Sequence, residues 1–501
     1  MINKLSNEQY SAEVFLERLE SLVKNYLPED FAPKIAWIID ESLKDQNLCA
    51  KFPPHYLIHA IEANCVYHRK HPQDQLNDKK LRKVINHYIG CFDPLAKHFL
   101  VENDDGFFPF FINMARQQFY LQATIGRNDI ARSTILFGQG NYKHSEILFV
   151  QKFGLNYFQW IKLGFCIYAY VTNHNPAYIS PQYFLTALQK IVPDEVIAPF
   201  FDLLSTTPQA VRETYLQTRK QLGSKIGLYY DTYIQSPFLE KPLLKLKEDL
   251  YLVIHKELLA RKALEGVFDL FKTEGIFGKE FGKTFESYIE KILLEFIPTQ
   301  QIFTENNLRK YTNEKVCDFL VNSDDYILLV ECKGTEYSAI TASVNALQRD
   351  NSTRKISRGI IQMISTANQI KNNLFFDLLG DISNKKIIAT VITFKHIYFT
   401  NLDWYRENVI YPHIDRETLN HIEKLFAFHP QILSVDELEK ILVHSSTDGM
   451  SIYKIFEEKL SQSIASTGGE WGNYLQPIDV KIPLLEKGYE AFFDKVIKEA
   501  T

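Results

Sequence analysis

A chain of 501 residues with 46% hydrophobic and 23% charged residues has the balance of a globular protein with real cores, and its length suggests two to four domains. The formal net charge of -5 excludes a protein that holds nucleic acid by overall positive charge, so any such contact has to come from a local basic patch. Six scattered cysteines (Cys49, Cys65, Cys91, Cys166, Cys317 and Cys332) form no CxxC, which leaves no zinc knuckle or redox motif and makes a disulfide framework an unsuitable reading.

The first fifteen residues lack an apolar run of the signal-peptide kind, and the most apolar stretch, Leu163 to Val171, is too short to span a bilayer. Both features point to a cytoplasmic protein without membrane partners. Residues 1–245 read as an all-α domain. Ser6 and Gln9 have capping-box spacing ahead of Phe15, Leu19 and Val23, and Ser180-Pro181 opens a helix continued by Phe184, Leu188 and Ile191. The aromatics of FFPFFINMARQQFY read as core. His55 and His59, like His87 and Cys91, are four apart, with Cys65, His68, His71 and His98 nearby. This is a conceivable structural zinc set, but it matches no recognised zinc spacing.

Lys241 to Phe271 reads as a long helix, and residues 246–277 as a bridge from the helical half to the next domain. Gly275, Gly278 and Gly282 then punctuate the chain. Within residues 278–400, Phe285, Tyr288, Ile289, Ile292, Leu293 and Phe296 recur at helical spacing before Pro298. Two strands follow, Lys315 to Val321 and Tyr326 to Lys333, joined by the turn residues Asn322 to Asp325. Helices are expected near Ser338 to Gln348 and Ile356 to Lys371, and a buried strand from Lys386 to Phe394. Residues 401–501 read as a helical C-terminal region with a capping box at Ser434 and Glu437.

The stretch VCDFLVNSDDYILLVECKG carries the chemistry. Side chains alternate along a strand, so Glu331 and Lys333 share a face and Cys332 takes the other. If Val321 pairs with Tyr326, Asp318 falls opposite Leu329, which is on the Glu331 face, and Asp318, Glu331 and Lys333 converge. Two adjacent carboxylates repel unless a cation lies between them. Mg²⁺, or Mn²⁺ in its place, suits such a pair, and Lys333 could orient a water or neutralise charge on a phosphate. Strand-end solvation or a simple salt bridge to Lys333 is the plainer alternative. Glu286 borders the apolar stripe of its helix, where a carboxylate is either a ligand or a helix-start charge. Gln362 lies on a polar side with Thr366 and Gln369, opposite a buried stripe of Ile360, Met363, Ile364 and Ala367. Arg349, Arg354, Lys355 and Arg358 form a basic cluster of the kind that contacts phosphates, or simply a solvated helix start.

An acidic residue in one strand followed by Glu-x-Lys in the next resembles the PD-(D/E)xK, or restriction-endonuclease-like, superfamily, over roughly 120 residues. Asp318 matches the first acid and Glu331 and Lys333 the second pair. Glu286 matches the glutamate often found on the preceding helix, and Gln362 the glutamine often found on the following one. Cys317 stands where the motif's proline would be. The resemblance implies an α/β nuclease core of a helix, a mixed central sheet and flanking helices, with an all-α N-terminal region and a helical tail around it. It implies Asp318, Glu331 and Glu286 as ligands of Mg²⁺ or Mn²⁺, Lys333 and Gln362 as their catalytic partners, and DNA cut by hydrolysis to leave 5′-phosphate ends. The helical half would be a sensor, a specificity module or a homo-oligomerisation surface, an architecture like that of bacterial antiphage defence effectors. An RNA or tRNA nuclease, or a retired nuclease fold acting as an interaction protein, are the alternatives. Both strand-end groups are expected to be partly exposed, so that Glu331→Ala and Lys333→Ala would lose activity and keep the fold.

Overall fold

The computed structural model describes residues 18, 20–69, 75–89, 108, 112, 115, 121, 125–188, 192–222, 236–336, 344–462, 470–475 and 481–500. These fall into two compact units that do not follow the boundaries expected from the sequence. One draws on Met1–Gly126, Ile147–Leu270 and Lys495–Thr501, the other on Arg127–Glu146 and Phe271–Asp494.

The first unit is mostly helical but not all-α. Helix α1 (Pro28–Lys44) buries Phe31, Ile35 and Ile39 at helical spacing. Helix α2 (Pro54–Tyr67) is buried almost all round, and the two share one apolar cluster. Helix α3 (Tyr157–His174) starts at a capping box of Asn156 and Gln159 and contains the Leu163 to Val171 run. No described helix is long and apolar enough to cross a membrane. Ser180 caps a short helix, Pro181–Ala187, as the Ser-Pro pair predicts, while Ser6, Gln9, Ile191 and most of the FFPFFINMARQQFY stretch lie outside the described residues.

The expected long helix from Lys241 is replaced at its start by sheet. Strands β1 (Tyr178–Ile179), β2 (Ser205–Thr206), β3 (Leu243–Lys247) and β4 (Leu250–Val253) lie in the order β1-β4-β3-β2. Helix α4 begins only at Lys256 and runs to Phe271. The deciding residue is Asp249, which has a φ of 55° and turns the chain between Lys247 and Leu250. A left-handed residue ends a helix, and aspartate tolerates it better than most. The hairpin then buries Leu243, Leu244, Tyr251 and Leu252.

The second unit holds a five-stranded mixed sheet of β5 (Ile302–Thr304), β6 (Phe319–Asn322), β7 (Tyr326–Lys333), β8 (Lys386–Thr393) and β9 (Gln431–Ser434), in that spatial order. The β5-β6-β7 pairs are antiparallel and β7-β8-β9 are parallel. Strand β7 spans the expected residues, and β8 is buried from Ile387 onward, as its unbroken apolar run requires. Strand β9 corrects the reading of the C-terminal region as purely helical. Its four residues are too few for a periodic signal, and they run directly into the Ser434–Glu437 capping box of the helix that follows.

Around this sheet lie α5 (Gly275–Phe296), the short α6 (Glu305–Leu308), α7 (Asn351–Lys371) and α8 (Val435–Asp448). Helix α5 begins at Gly275 and carries Gly278 and Gly282 inside it. A Cβ at any of these three glycines would meet nothing within 4 Å, so they lie on its open side. The buried side carries Phe277, Phe281 and Phe285, whose rings stack at 5.6 and 5.9 Å between successive centroids. That packing outweighs the roughly 1 kcal/mol per glycine that helix propensity alone would cost. A buried polar knot ties α5 to α8. The Arg132 guanidinium donates Nε to Glu439 Oε1 at 2.9 Å and Nη2 to Oε2 at 2.6 Å, and Tyr288 donates its hydroxyl to Glu439 Oε1 at 2.6 Å.

Candidate metal centre

The β6–β7 hairpin sets the geometry. Its register pairs Phe319 with Val330, Leu320 with Leu329 and Asn322 with Ile327. The link therefore consists of residues 323–326, closed by Ser323 N–H donating to Tyr326 O at 2.9 Å. The sequence-based register, with Asp318 opposite Leu329, is off by two residues. Because the error is even, it leaves the faces unchanged. One further step along the observed register sets Asp318 opposite Glu331, and Asp318 Oδ2 accepts from the Cys332 N–H at 2.6 Å. On the other edge, the Asp318 carbonyl accepts from Glu305 N–H at 2.8 Å. Asp318 is thus held at the strand entrance by two neighbouring segments.

Glu331 is fully buried, at 0% exposure, which corrects the expectation that it is partly exposed. Lys333, at 19% side-chain exposure, donates to Glu331 Oε1, and Glu331 Oε2 is buried without a hydrogen-bond partner. Removing Glu331 as alanine would leave Lys333 without its carboxylate, so Glu331→Gln is the cleaner probe.

The carboxylates work against one another's charge. Burial, and then the Asp318 carboxylate, lift Glu331 to about 8 in spite of Lys333. Burial lifts Glu286 to about 7, helped by Asp318, Glu305 and Glu290 and opposed by Lys333. Burial also raises Asp318, against the Cys332 N–H and Lys333 that favour its charged form. Glu286, one residue beyond the buried Phe285, is therefore close enough to Asp318 and Lys333 for their charges to act on it. Three acids with raised pKa values around one ammonium, and an orphaned Glu331 oxygen, are a donor set that a small divalent cation would satisfy, though a single ion held by all three would have to draw their oxygens closer together.

Glu305 is a neighbouring acid that the sequence pattern does not point to. It lies in α6, its field raises both Asp318 and Glu286, and its own carboxylate is paired with Arg309 at 2.7 Å from Nε. Its only signal in the sequence is the Thr304-x-x-Asn307 cap, which says nothing of proximity to Asp318.

Helix α7 covers this face. A Cβ on Gly359 would lie 3.1 Å from Glu331 Cγ and 3.3 Å from Lys333 Cε. The polar side of the helix is not solvated. Gln362 Nε2 donates to Val316 O at 3.2 Å, Thr366 Oγ1 accepts from Cys317 N–H at 2.9 Å, and Ser365 Oγ donates to Lys315 O at 3.2 Å. Gln362 thus bonds the backbone of the segment leading to Asp318. The contacts above Glu331 and Lys333 leave no room for a branched side chain at 359. Gly359→Val is expected to cost about 1–3 kcal/mol in urea unfolding and to weaken Mn²⁺ binding, with Gly359→Ala milder on both measures. Unchanged values for the valine variant would mean that α7 does not press on Glu331 and Lys333.

Of the basic cluster, Arg349, Arg354 and Arg358 are exposed and Lys355 is half-buried. Burial and the Lys333 ammonium lower the Lys355 pKa.

Among the described residues, one group of three acids, cysteines or histidines has ligand atoms that all lie within 4.8 Å of one another, His396, Glu437 and Glu470; the ligand atoms of Asp318, Glu331 and Glu286 are not gathered that closely. His55, His59, Cys65, His68 and His87 make no such group, and His71, Cys91 and His98 lie outside the described residues. In the His396 group, Nε2 lies 2.8 Å from Glu470 Oε2 and Nδ1 lies 3.5 Å from Glu437 Oε1. The two ring nitrogens point apart, so this arrangement describes an imidazolium bridging two carboxylates better than a ring ligating one ion shared by all three. Burial alone would lower His396; Glu437 and Glu470 outweigh it and raise it to about 9. An unfolded histidine titrates near pH ~6.5, so this stabilisation is complete below that pH and is lost as pH rises through the folded value. His396→Gln should therefore flatten the fall in melting temperature between pH 6.5 and 9.5. Parallel melting curves for the two proteins would contradict the bridge.

No family model matches this chain, and neither does a curated protein or a solved structure.

Proposed function

We propose that the second unit is a divalent-metal-dependent endonuclease acting on DNA. The observation that carries this reading is Glu331, a fully buried carboxyl with one unpartnered oxygen, next in the chain to the Cys332 N–H that Asp318 accepts, and bonded by Lys333. Asp318, Glu331 and Glu286 would hold Mg²⁺ or Mn²⁺. When bound, that ion supplies Lewis acidity toward a phosphate oxygen and lowers the pKa of a water.

The remaining work falls to the chain itself. Lys333, which donates to Glu331 here, would orient the attacking water and offset charge on the phosphate. Gln362 and Thr366 fix the Val316–Cys317 backbone and so the position of Asp318. The exposed arginines 349, 354 and 358 contact backbone phosphates, giving affinity without sequence information. The helical first unit is the sensor or specificity module of an antiphage defence effector in this reading.

The test is a panel of end-labelled duplex DNA, single-stranded DNA and RNA, incubated with Mg²⁺ or Mn²⁺. The proposal expects DNA cleavage that EDTA abolishes and that leaves 5′-phosphate ends. Cleavage confined to RNA overturns the substrate, and cleavage of none by the intact protein overturns the enzyme.

A further inference from the structure

The four basic residues near the motif are not equivalent. Gly359 marks the turn of α7 that lies over Glu331 Cγ and Lys333 Cε. Residues four apart share a helix face, so Lys355 sits one turn nearer the helix start on that same face. Arg354 and Arg358 flank it on the exposed side, and Arg349 precedes the helix. Lys355 is half-buried, and the charges acting on it come from Lys333 on β7 and Asp350 at the α7 cap. Asp350 also accepts the Ser352 N–H at 2.7 Å, as a helix cap does.

Two ammonium groups on different elements, Lys333 on β7 and Lys355 on α7, are therefore close enough to act on one another. Lys333 belongs to Glu331. Lys355 has a different place, set back along the helix that roofs the site. Hydrolysis of a phosphodiester needs positive charge at both ends of the in-line displacement. It also needs a proton for the departing oxygen, since an alkoxide is a poor leaving group.

We propose that Lys355 is a catalytic residue that contacts the scissile phosphate and protonates the departing 3′ oxygen. This rests on the nuclease reading above. In the step, the attacking water oxygen forms a bond to phosphorus. The P–O3′ bond breaks with its electron pair on O3′, and one ammonium proton of Lys355 passes to that oxygen. The resulting amine regains a proton from solvent, and the attacking water's proton leaves to solvent. Burial and the neighbouring ammonium make Lys355 a stronger acid than an exposed lysine, which suits this task. An arginine there would keep the charge and hold its proton.

The test compares ordinary DNA with DNA carrying one 3′-bridging phosphorothiolate, whose sulfur departs without a proton. The full-length wild type and the Lys355→Met and Lys355→Arg variants are assayed with Mn²⁺. Both variants are expected to cut ordinary DNA about 10²–10⁴-fold more slowly and the phosphorothiolate with only a small loss. Mn²⁺ binding by calorimetry and the melting temperature should match the wild type, which separates the role from a folding or metal-binding defect. Equal losses on the two substrates, recovery by arginine, or no loss at all would each overturn the role of Lys355. A wild type that cuts ordinary DNA leaves the nuclease reading standing in every one of those cases; a wild type that cuts neither substrate removes both.

Discussion

Glu331→Gln should abolish divalent-metal-dependent DNA cleavage, by roughly 10³-fold or more, since a lost metal ligand forfeits several kcal/mol of transition-state stabilisation. It should do so without unfolding the protein. Glutamine has the shape of glutamate and can still accept from Lys333. The change should also be visible in the metal-free protein as a change in pH dependence. The folded Glu331 carboxyl titrates at about 8, whereas an unfolded one titrates near ~4.3. Its contribution to stability is therefore complete at acid pH and is lost as pH rises through the folded value, by on the order of a few kcal/mol. In EDTA, the wild-type melting temperature should fall between pH 5 and pH 8.5, and that of Glu331→Gln should fall less. Calorimetric scans at those two pH values measure the difference. An unchanged slope would show that Glu331 is ionised and satisfied without a metal.

The largest effect on stability should come from Arg132. Its guanidinium makes a bidentate pair with Glu439, a residue at 0% exposure that also accepts from Tyr288. Cutting such a pair leaves a buried charge without its partner, which costs about 3–5 kcal/mol. Arg132→Met should lower the unfolding free energy in urea by that amount. The double variant Arg132→Met/Glu439→Leu should recover much of it, because the fully buried charge of Glu439 is gone and the other partners of Arg132, Asp129 and Asp436, keep access to water. A single variant within 1 kcal/mol of the wild type would mean the knot contributes little.

The hairpin was legible because strand alternation is strict. An error of two residues in the register left Asp318, Glu331 and Lys333 on one face, where an error of one would have scattered them. Strands β7 and β8 were legible for a related reason, as long apolar runs in which nothing else competes. Other features depend on contacts that no local pattern records. Glu305 reaches the site only because its N–H pairs with the Asp318 carbonyl across the sheet. Gly275, Gly278 and Gly282 read as breaks, yet the phenylalanine stripe of α5 carries the helix through them. The β3–β4 hairpin was hidden within LLKLKEDLYLV, whose leucines also suit a helix, and Asp249 in the left-handed region decides between the two. Burial of Glu331 depends on α7 closing over it at Gly359, a contact made across 28 residues of chain.

Mn²⁺ titration by calorimetry, on the intact protein and on Asp318→Asn and Glu331→Gln, bears most directly on the central claim. The wild type is expected to bind saturably, and either substitution to weaken binding by at least about tenfold, each ligand removed costing more than ~1.4 kcal/mol. Equal binding by all three proteins, or no binding by the wild type, would contradict a metal held between these acids.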